Sequence, residues 1–440
     1  MPIEEKKYKV YSLNNYTTIP QVQASLSEEE IHSIKVVGNV LPFKVNNYVI
    51  DELIDWNNIP EDPIYQLTFP QKEMLTADHF AEMEKALEQN LSKGELKLVA
   101  NKIRYELNPN PAGQKDNVPV LGDEELPGVQ HKYRETVLFF PSNSQTCHAY
   151  CTFCFRWPQF VGMDDLKFAM KETDLLVKYL QEHSEVTDVL FTGGDPMVMT
   201  VKKLKEYIEP LLDADIPHLK SIRIGTKALS YWPYRFINDK DTQELLDLFK
   251  KVVDSGIQLA FMAHLNHSNE LQTEAAEVAI KNILSTGAVI RTQSPIMNRI
   301  NNDADEWAVM WKRQVELGCI PYYMFVARDT GAQGYFAVSL ENAWKIFNKA
   351  YSQVSGLART VRGPSMSANP GKVDVLGINE INGEKMFVLR FIQARNPHWV
   401  GKPFFAKYNS GATWLNDLEP LEGSEFFFEK ETRELKIAAN

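Results

Sequence analysis

The sequence predicts an α/β protein: a partial (βα)6 barrel with parallel strands, preceded by a mainly helical N-terminal region (1–130) and followed by a C-terminal extension (356–440). Two observations carry this. From residue 131 to 355 short apolar runs alternate with amphipathic helical patterns, and repeated βα units imply a parallel sheet because right-handed crossovers lay each helix on it. Six units fall short of the eight that close a TIM barrel. The chain's 440 residues also exceed the usual single-domain size of roughly 100–200, so smaller companions to the main domain are expected.

Taken in order, SLSEEEIHSIKVV has a serine-led capping pattern and TADHFAEMEKALEQNL spaces apolar residues at three and four, so both read as helices. NPNPAGQKDNVPVLGDEELPGVQHKY, rich in Pro, Gly and Asn, reads as a linker and puts a boundary near 130. The strand candidates are TVLFF (136–140), DVLFTG (188–193), SIRIGT (221–226), QLAFMAH (258–264), AVIRTQ (288–293) and CIPYYMF (319–325). Helical patterns such as VKKLKEYIEPLL, TQELLDLFKKVVDSG and SLENAWKIFNKAYSQV separate them. After about 355 come Gly/Pro turns, then strand-like MFVLRFIQ and EFFFEK, a tail expected to cover one mouth of the barrel. Chemistry in such a fold belongs at the C-terminal ends of the strands.

Composition narrows the class. A hydrophobic content of 44% and a charged content of 24% are ordinary for a globular protein. The net charge of −11 gives a nucleic-acid partner no electrostatic support. No run reaches the roughly 18 apolar residues of a membrane span, and MPIEEKKYKVYSLNNY lacks the apolar stretch of a secretion signal. A cytoplasmic protein acting on a small molecule is expected.

Three of the four cysteines, Cys147, Cys151 and Cys154, crowd into CHAYCTFC. The odd number argues against a disulfide framework and for a metal site. CxxxCxxC begins a few residues after the first strand, on the first βα loop, and three thiolates so spaced can hold three corners of a [4Fe-4S] cube, leaving one iron open. The alternatives are structural zinc, which wants four closed ligands and finds no second pair here, and unliganded thiols. Cys319, in an apolar strand-like run, reads as a buried small hydrophobe.

CHAYCTFC followed by FTGGDP (191–196) resembles the radical S-adenosylmethionine (SAM) superfamily, which uses CxxxCxxC for the cluster and a GGE/GGD segment for the SAM amino group. The resemblance implies cofactor contacts from Gly193, Gly194 and Asp195, and cleavage of SAM to a 5′-deoxyadenosyl radical. Glycine would let backbone approach the ligand closely at a strand end. The likeness narrows over roughly residues 60 to 400, where DPIYQLTFP, LPGVQHKYRETVLFF, RIGT, HLNHSNE, TQSPIMNRINND and PYYMF are similar, in order, to segments of the lysine 2,3-aminomutase family. That family pairs SAM with pyridoxal phosphate (PLP), held by a lysine after a glycine-rich run.

The resemblance places the PLP lysine at Lys372 in SMSANPGKVDV, where the glycine run is reduced to Gly371; otherwise Lys372 is a solvated loop lysine. It puts Lys132 at the PLP phosphate, in place of an arginine whose fork a lysine cannot reproduce, and Gln293 against PLP. Arg156 matches the arginine that clamps the amino acid's carboxylate, a task suited to a bidentate guanidinium; its alternative is a structural ion pair. Arg328 and Ser365 fall where the family has two aspartates for the distal ammonium, so an acidic or neutral substrate is expected over lysine, although the neighbouring Asp329 could pair with Arg328. His264, Asn266 and His267 lie just past the fourth strand and either line the SAM pocket or satisfy backbone groups there.

The function these residues imply is a PLP-dependent radical SAM 2,3-aminomutase moving an amino group between Cα and Cβ, served by an electron donor such as flavodoxin or ferredoxin. A lid from residues 1–130 or 355–440 would exclude water and oxygen. RNPHWVGKPFFAKY is an oligomer contact or a lid. The rivals are a PLP-free radical SAM enzyme of epimerase or dehydrogenase type and a non-catalytic iron–sulfur or zinc protein.

Overall fold

The computed structural model describes residues 3–108, 117–163 and 168–438. Part of the expected linker, 109–116, lies outside them. One sheet of eleven strands dominates. Its strands, in chain order, are β1 (Val129–Tyr133), β2 (Thr136–Phe139), β3 (Asp188–Phe191), β4 (Ser221–Thr226), β5 (Gln258–His264), β6 (Val289–Ile296), β7 (Ile320–Val326), β8 (Arg362–Ser367), β9 (Gly371–Ile381), β10 (Glu384–Ala394) and β11 (Pro403–Lys407). Every strand neighbours the next in sequence. β2 to β8 run parallel, and antiparallel pairs close both ends.

The six expected strands occupy β2 to β7, and a seventh parallel strand, β8, joins them after the helix Leu340–Ser352. RGPSMS carries too little apolar alternation to announce itself. EFFFEK is not a strand. The Phe426 N–H goes to the Glu429 carboxylate at 3.0 Å instead of a neighbouring strand, and the chain enters the helix Glu429–Ala438. Phe426 and Phe428 pack on Phe391, Trp399 and Phe404. The tail does not merely cap the sheet: β9 to β11 extend it.

The parallel strands alternate in a way that positions the site. Ile222, Ile224, Phe261 and Ile290 are buried against helix residues such as Leu204, Leu245, Phe249 and Ile283. Their neighbours Ser221, Arg223, Arg291 and Gln293 are only half-buried. A parallel sheet packed on both faces reads as continuously apolar, so a polar second face marks a surface that meets something other than a hydrophobic core. Arg223 there donates from Nε to Asp188 at 2.8 Å, and Ser221 and Thr136 donate to the same carboxylate at 2.7 and 3.0 Å.

The N-terminal helices form as read. Ser27 and Glu30 make a capping box on Glu28–Val40, and Thr76 caps Ala77–Glu88. Their apolar faces do not close on themselves: Val36, Tyr48, Leu67 and Phe69 share one cluster with Ala149, Trp157, Tyr231 and Tyr335. Among the described residues no helix is long and apolar enough to cross a membrane.

Candidate functional site

The loop after β2 carries Cys147, Cys151 and Cys154, and the N-terminal region supplies most of what holds it. Irregular backbone must satisfy its polar groups somewhere. Here Tyr150 N donates to Lys44 O (2.8 Å), Thr152 N to Leu67 O (2.9 Å), and Thr152 Oγ1 to Gln66 O (2.8 Å). Lys44 Nζ donates to Cys147 O at 2.6 Å, while Tyr8 Oη and Asn46 Nδ2 donate to His148 O at 2.8 and 3.2 Å. Sequence reasoning missed Tyr8, Lys44 and Asn46, which no local motif distinguishes.

All three cysteines are free. Burial pushes their thiols up, Cys154 to about 12, and neighbouring sulfurs add to the effect at Cys147 and Cys154. Thiols so placed become ligands only when a metal compensates the thiolate charge. No three His, Cys, Asp or Glu side chains among the described residues stand close enough to share a single ion. A four-iron cube takes one thiolate per iron, so three cysteines on one loop suit it. Cys319 is buried in the helix-facing core.

Gly193 and Gly194 serve that loop. Gly193 has φ +140°, and a Cβ there would stand 2.3 Å from Ser144 Oγ; one at Gly194 would stand 2.3 Å from Thr146 O. Gly194 N and Asp195 N donate to Ser144 O and Thr146 O, both at 2.8 Å. The close approach expected toward a ligand is thus, in this structure, an approach to the cysteine loop. Asp195 is buried, its carboxyl pushed up to about 6 by desolvation, and it accepts from Thr226 Oγ1 (2.7 Å), Lys227 N (2.9 Å) and Met197 N (2.9 Å).

His264 and Gln293 meet across β5 and β6 with their Nε2 atoms 2.7 Å apart; burial lowers the imidazole to about 4, so it is neutral near pH 7. Asn266 is fully enclosed, accepting from Lys227 Nζ (2.7 Å) and donating to Ser294 Oγ (2.7 Å), inside a network built on the buried Lys227–Glu270 ion pair. His267 Nδ1 accepts from Asn269 N at 3.2 Å, satisfying backbone. Lys227 and Glu270 escaped the sequence reading because their pairing joins two separate loops.

A group of buried cations forms the rest. Lys372 lies on β9, not on a solvated loop. Its Nζ donates to Gln393 Oε1 (2.7 Å) and sits 4.7 Å from the Tyr323 ring centre. Burial, with Arg223 and Arg362 nearby, lowers the amine to about 7. A Cβ at Gly371 would stand 2.3 Å from Gln393 O, which explains the one glycine retained there. Lys132 Nζ donates to Ala368 O at 2.5 Å, and burial plus Arg395, Arg328 and Lys372 lower its pKa strongly. Arg156 and Arg328 both lie against Phe155, their guanidinium carbons 5.4 and 5.1 Å from its ring centre. Arg156 Nη1, Arg328 Nε and Ser365 Oγ are buried with no hydrogen-bond partner among the described residues. Native proteins leave few such atoms, and three around one group of cations mark a ligand site.

Fold and site define an α/β enzyme whose parallel sheet combines a three-cysteine loop with a buried, near-neutral lysine. No family model matches the chain. It is 30% identical over 396 residues, 90% of this chain and 92% of the other, to a protein of Aquifex aeolicus named "Putative L-lysine 2,3-aminomutase". It is 28% identical over 243 residues to the L-lysine 2,3-aminomutase of Haemophilus influenzae (54% of this chain, 68% of that one). A solved radical SAM methyltransferase from Sphaerobacter thermophilus is 13% identical, with a TM-score of 0.38 over 53% of this chain and 68% of that one. The chain belongs to the L-lysine 2,3-aminomutase family, whose members are radical SAM isomerases.

Proposed function

We propose that the chain is a PLP-dependent radical SAM 2,3-aminomutase, cytoplasmic, acting on a free acidic amino acid rather than lysine. One observation carries the reading: Lys132, Arg156, Arg328 and Lys372 are buried near one another, and none forms an ion pair with a carboxylate among the described residues. Asp329 beside Arg328 and Asp188 near Lys372 are the carboxylates that act on them, and buried positive charge so sparsely balanced is unfavourable. A PLP phosphate and the two carboxylates of an acidic amino acid would supply the rest of the counter-charge.

Cys147, Cys151 and Cys154 would hold the cluster, Gly193 to Asp195 with His264 would face SAM, and Lys372 would hold PLP, with Lys132 toward its phosphate and Gln293 alongside. When bound, the cluster and SAM supply a carbon-centred radical that removes a β-hydrogen, and PLP carries the migrating nitrogen. The protein's share is placement. The Arg156 guanidinium would clamp the α-carboxylate and Arg328 the distal one, with the Phe155 ring setting their separation, and Ser365 offers a hydroxyl beside them. With its pKa lowered to about 7, a large share of the Lys372 amine is neutral near pH 7 and can bond as it stands. Tyr133 and Tyr323 shield it from water. The parallel strands curve into a partial barrel with the polar face inside, and a one-electron donor of flavodoxin or ferredoxin type docks from outside.

The test offers glutamate, aspartate and lysine to the anaerobically reconstituted enzyme and follows the β-amino isomer by NMR. Glutamate or aspartate should turn over, and Arg328→Ala should cut kcat/KM for that substrate by about 30-fold or more, the effect of unpairing a buried charge worth roughly 2–5 kcal/mol. Turnover of lysine alone would overturn the substrate assignment.

A further inference from the structure

We infer that Tyr231 sets the reduction potential of the cluster by donating a hydrogen bond to the Cys151 sulfur, an inference that rests on the reading that Cys147, Cys151 and Cys154 hold an iron–sulfur cluster. Tyr231 ends the short helix Ala228–Tyr231 that follows β4, and is 1% exposed. The Cys151 S–H donates to its hydroxyl oxygen at 3.6 Å, the one hydrogen bond that oxygen has among the described residues. A buried hydroxyl needs a partner, and a cysteine bound to iron is a thiolate that can only accept. With metal bound, the tyrosine must therefore be the donor.

The contact is built from two sides. Asn46 Nδ2 donates to Tyr231 O at 2.8 Å and to His148 O at 3.2 Å, so one amide from the N-terminal region ties the tyrosine to the cysteine loop. Lys227 Nζ lies 4.4 Å from the Tyr231 ring centre, held there by Glu270 and Asn266. A cation over the ring face is an attractive contact that helps hold the ring in place.

Hydrogen bonds to ligand sulfurs are one of the levers on iron–sulfur potentials. The reduced cluster carries one more negative charge than the oxidised one, so a donor stabilises it more and raises the potential. Tyr231 is thus a positioning residue, acting on the cluster through Cys151.

The experiment is an EPR-monitored redox titration of the full-length chain, reconstituted anaerobically with iron and sulfide, as wild type and as Tyr231→Phe. At the wild-type midpoint the ratio of reduced to oxidised cluster should fall to about one-tenth in the variant, about 59 mV for one electron, with iron and sulfide per chain unchanged. Placing p-aminophenylalanine at 231, which keeps a donor there, should restore much of the ratio. A Tyr231→Phe variant with a full cluster and an unmoved midpoint overturns the inference. A wild-type chain that takes up no iron or sulfide overturns the cluster reading beneath it, and this inference with it. If Tyr231→Phe alone fails to assemble the cluster, a more acidic fluorotyrosine at 231 should raise the midpoint, and no movement there overturns the inference.

Discussion

Lys372 shows what a single residue gains from its surroundings. A lysine in water titrates at about 10.4, whereas burial and the nearby Arg223 and Arg362 bring this one to about 7, opposed only by Asp188. Raising the pH through 7 therefore neutralises it, and only the neutral amine attacks an aldehyde. The rate of covalent PLP capture should climb across pH 6 to 8 and then level off, which stopped-flow absorbance of the imine would follow; a rate still climbing toward pH 10 would show an ordinary solvated lysine. The resemblance to a family pointed to Lys372, but its environment was not legible. Tyr323, Arg223 and Asp188 come from strands far back in the chain and Gln393 from the far end of the paired strand β10, and a window around SMSANPGKVDV contains none of them. The same holds for Arg156 and Arg328, legible as cations but not as neighbours at Phe155.

At the scale of elements, periodicity was a sufficient guide where a strand has one apolar and one polar face. Ser221–Thr226 coincides with the run read from sequence, and Gln258–His264, buried on both faces, was legible as a continuous apolar run. It failed at β8, whose Gly-Pro sequence hides a strand, and at EFFFEK, where a side-chain hydrogen bond turned an apolar run toward a helix. It could not reveal that a loop is built by another region, as the cysteine loop is by residues 8, 44, 46, 66 and 67. The glycine loop after β3 closes that arrangement from the other side. Gly194→Ala would drive a methyl into Thr146 O, so it should cost about 1–3 kcal/mol in chemical denaturation, the range for overpacking, and lower iron uptake. Gly94→Ala, in the helix Lys93–Glu106 with only Ser92 Oγ near, should be neutral or slightly stabilising and leave iron uptake intact. Equal effects from both would show that the glycine loop does not shape the cysteine loop.

The whole molecule sets a positive interior in a negative protein. The net charge is −11, yet Lys132, Arg156, Arg328 and Lys372 converge on a sheet face whose opposite side is a conventional apolar core. Such a contrast concentrates anions at the site while leaving the surface repulsive to them, and it fits a phosphate cofactor and a dicarboxylate better than a second ammonium. The regions before and after the parallel strands take part in this interior: Tyr8, Lys44 and Asn46 hold the cysteine loop, while β9 and β10 carry Lys372 and its partner Gln393. The claim that joins these observations is that Lys372 holds PLP. It is tested most directly by loading the anaerobically reconstituted chain with PLP, reducing it with borohydride and locating the phosphopyridoxyl group by peptide mass spectrometry. The adduct is expected on Lys372 and should vanish in Lys372→Ala. A chain that still cleaves SAM but carries no adduct there would contradict the account.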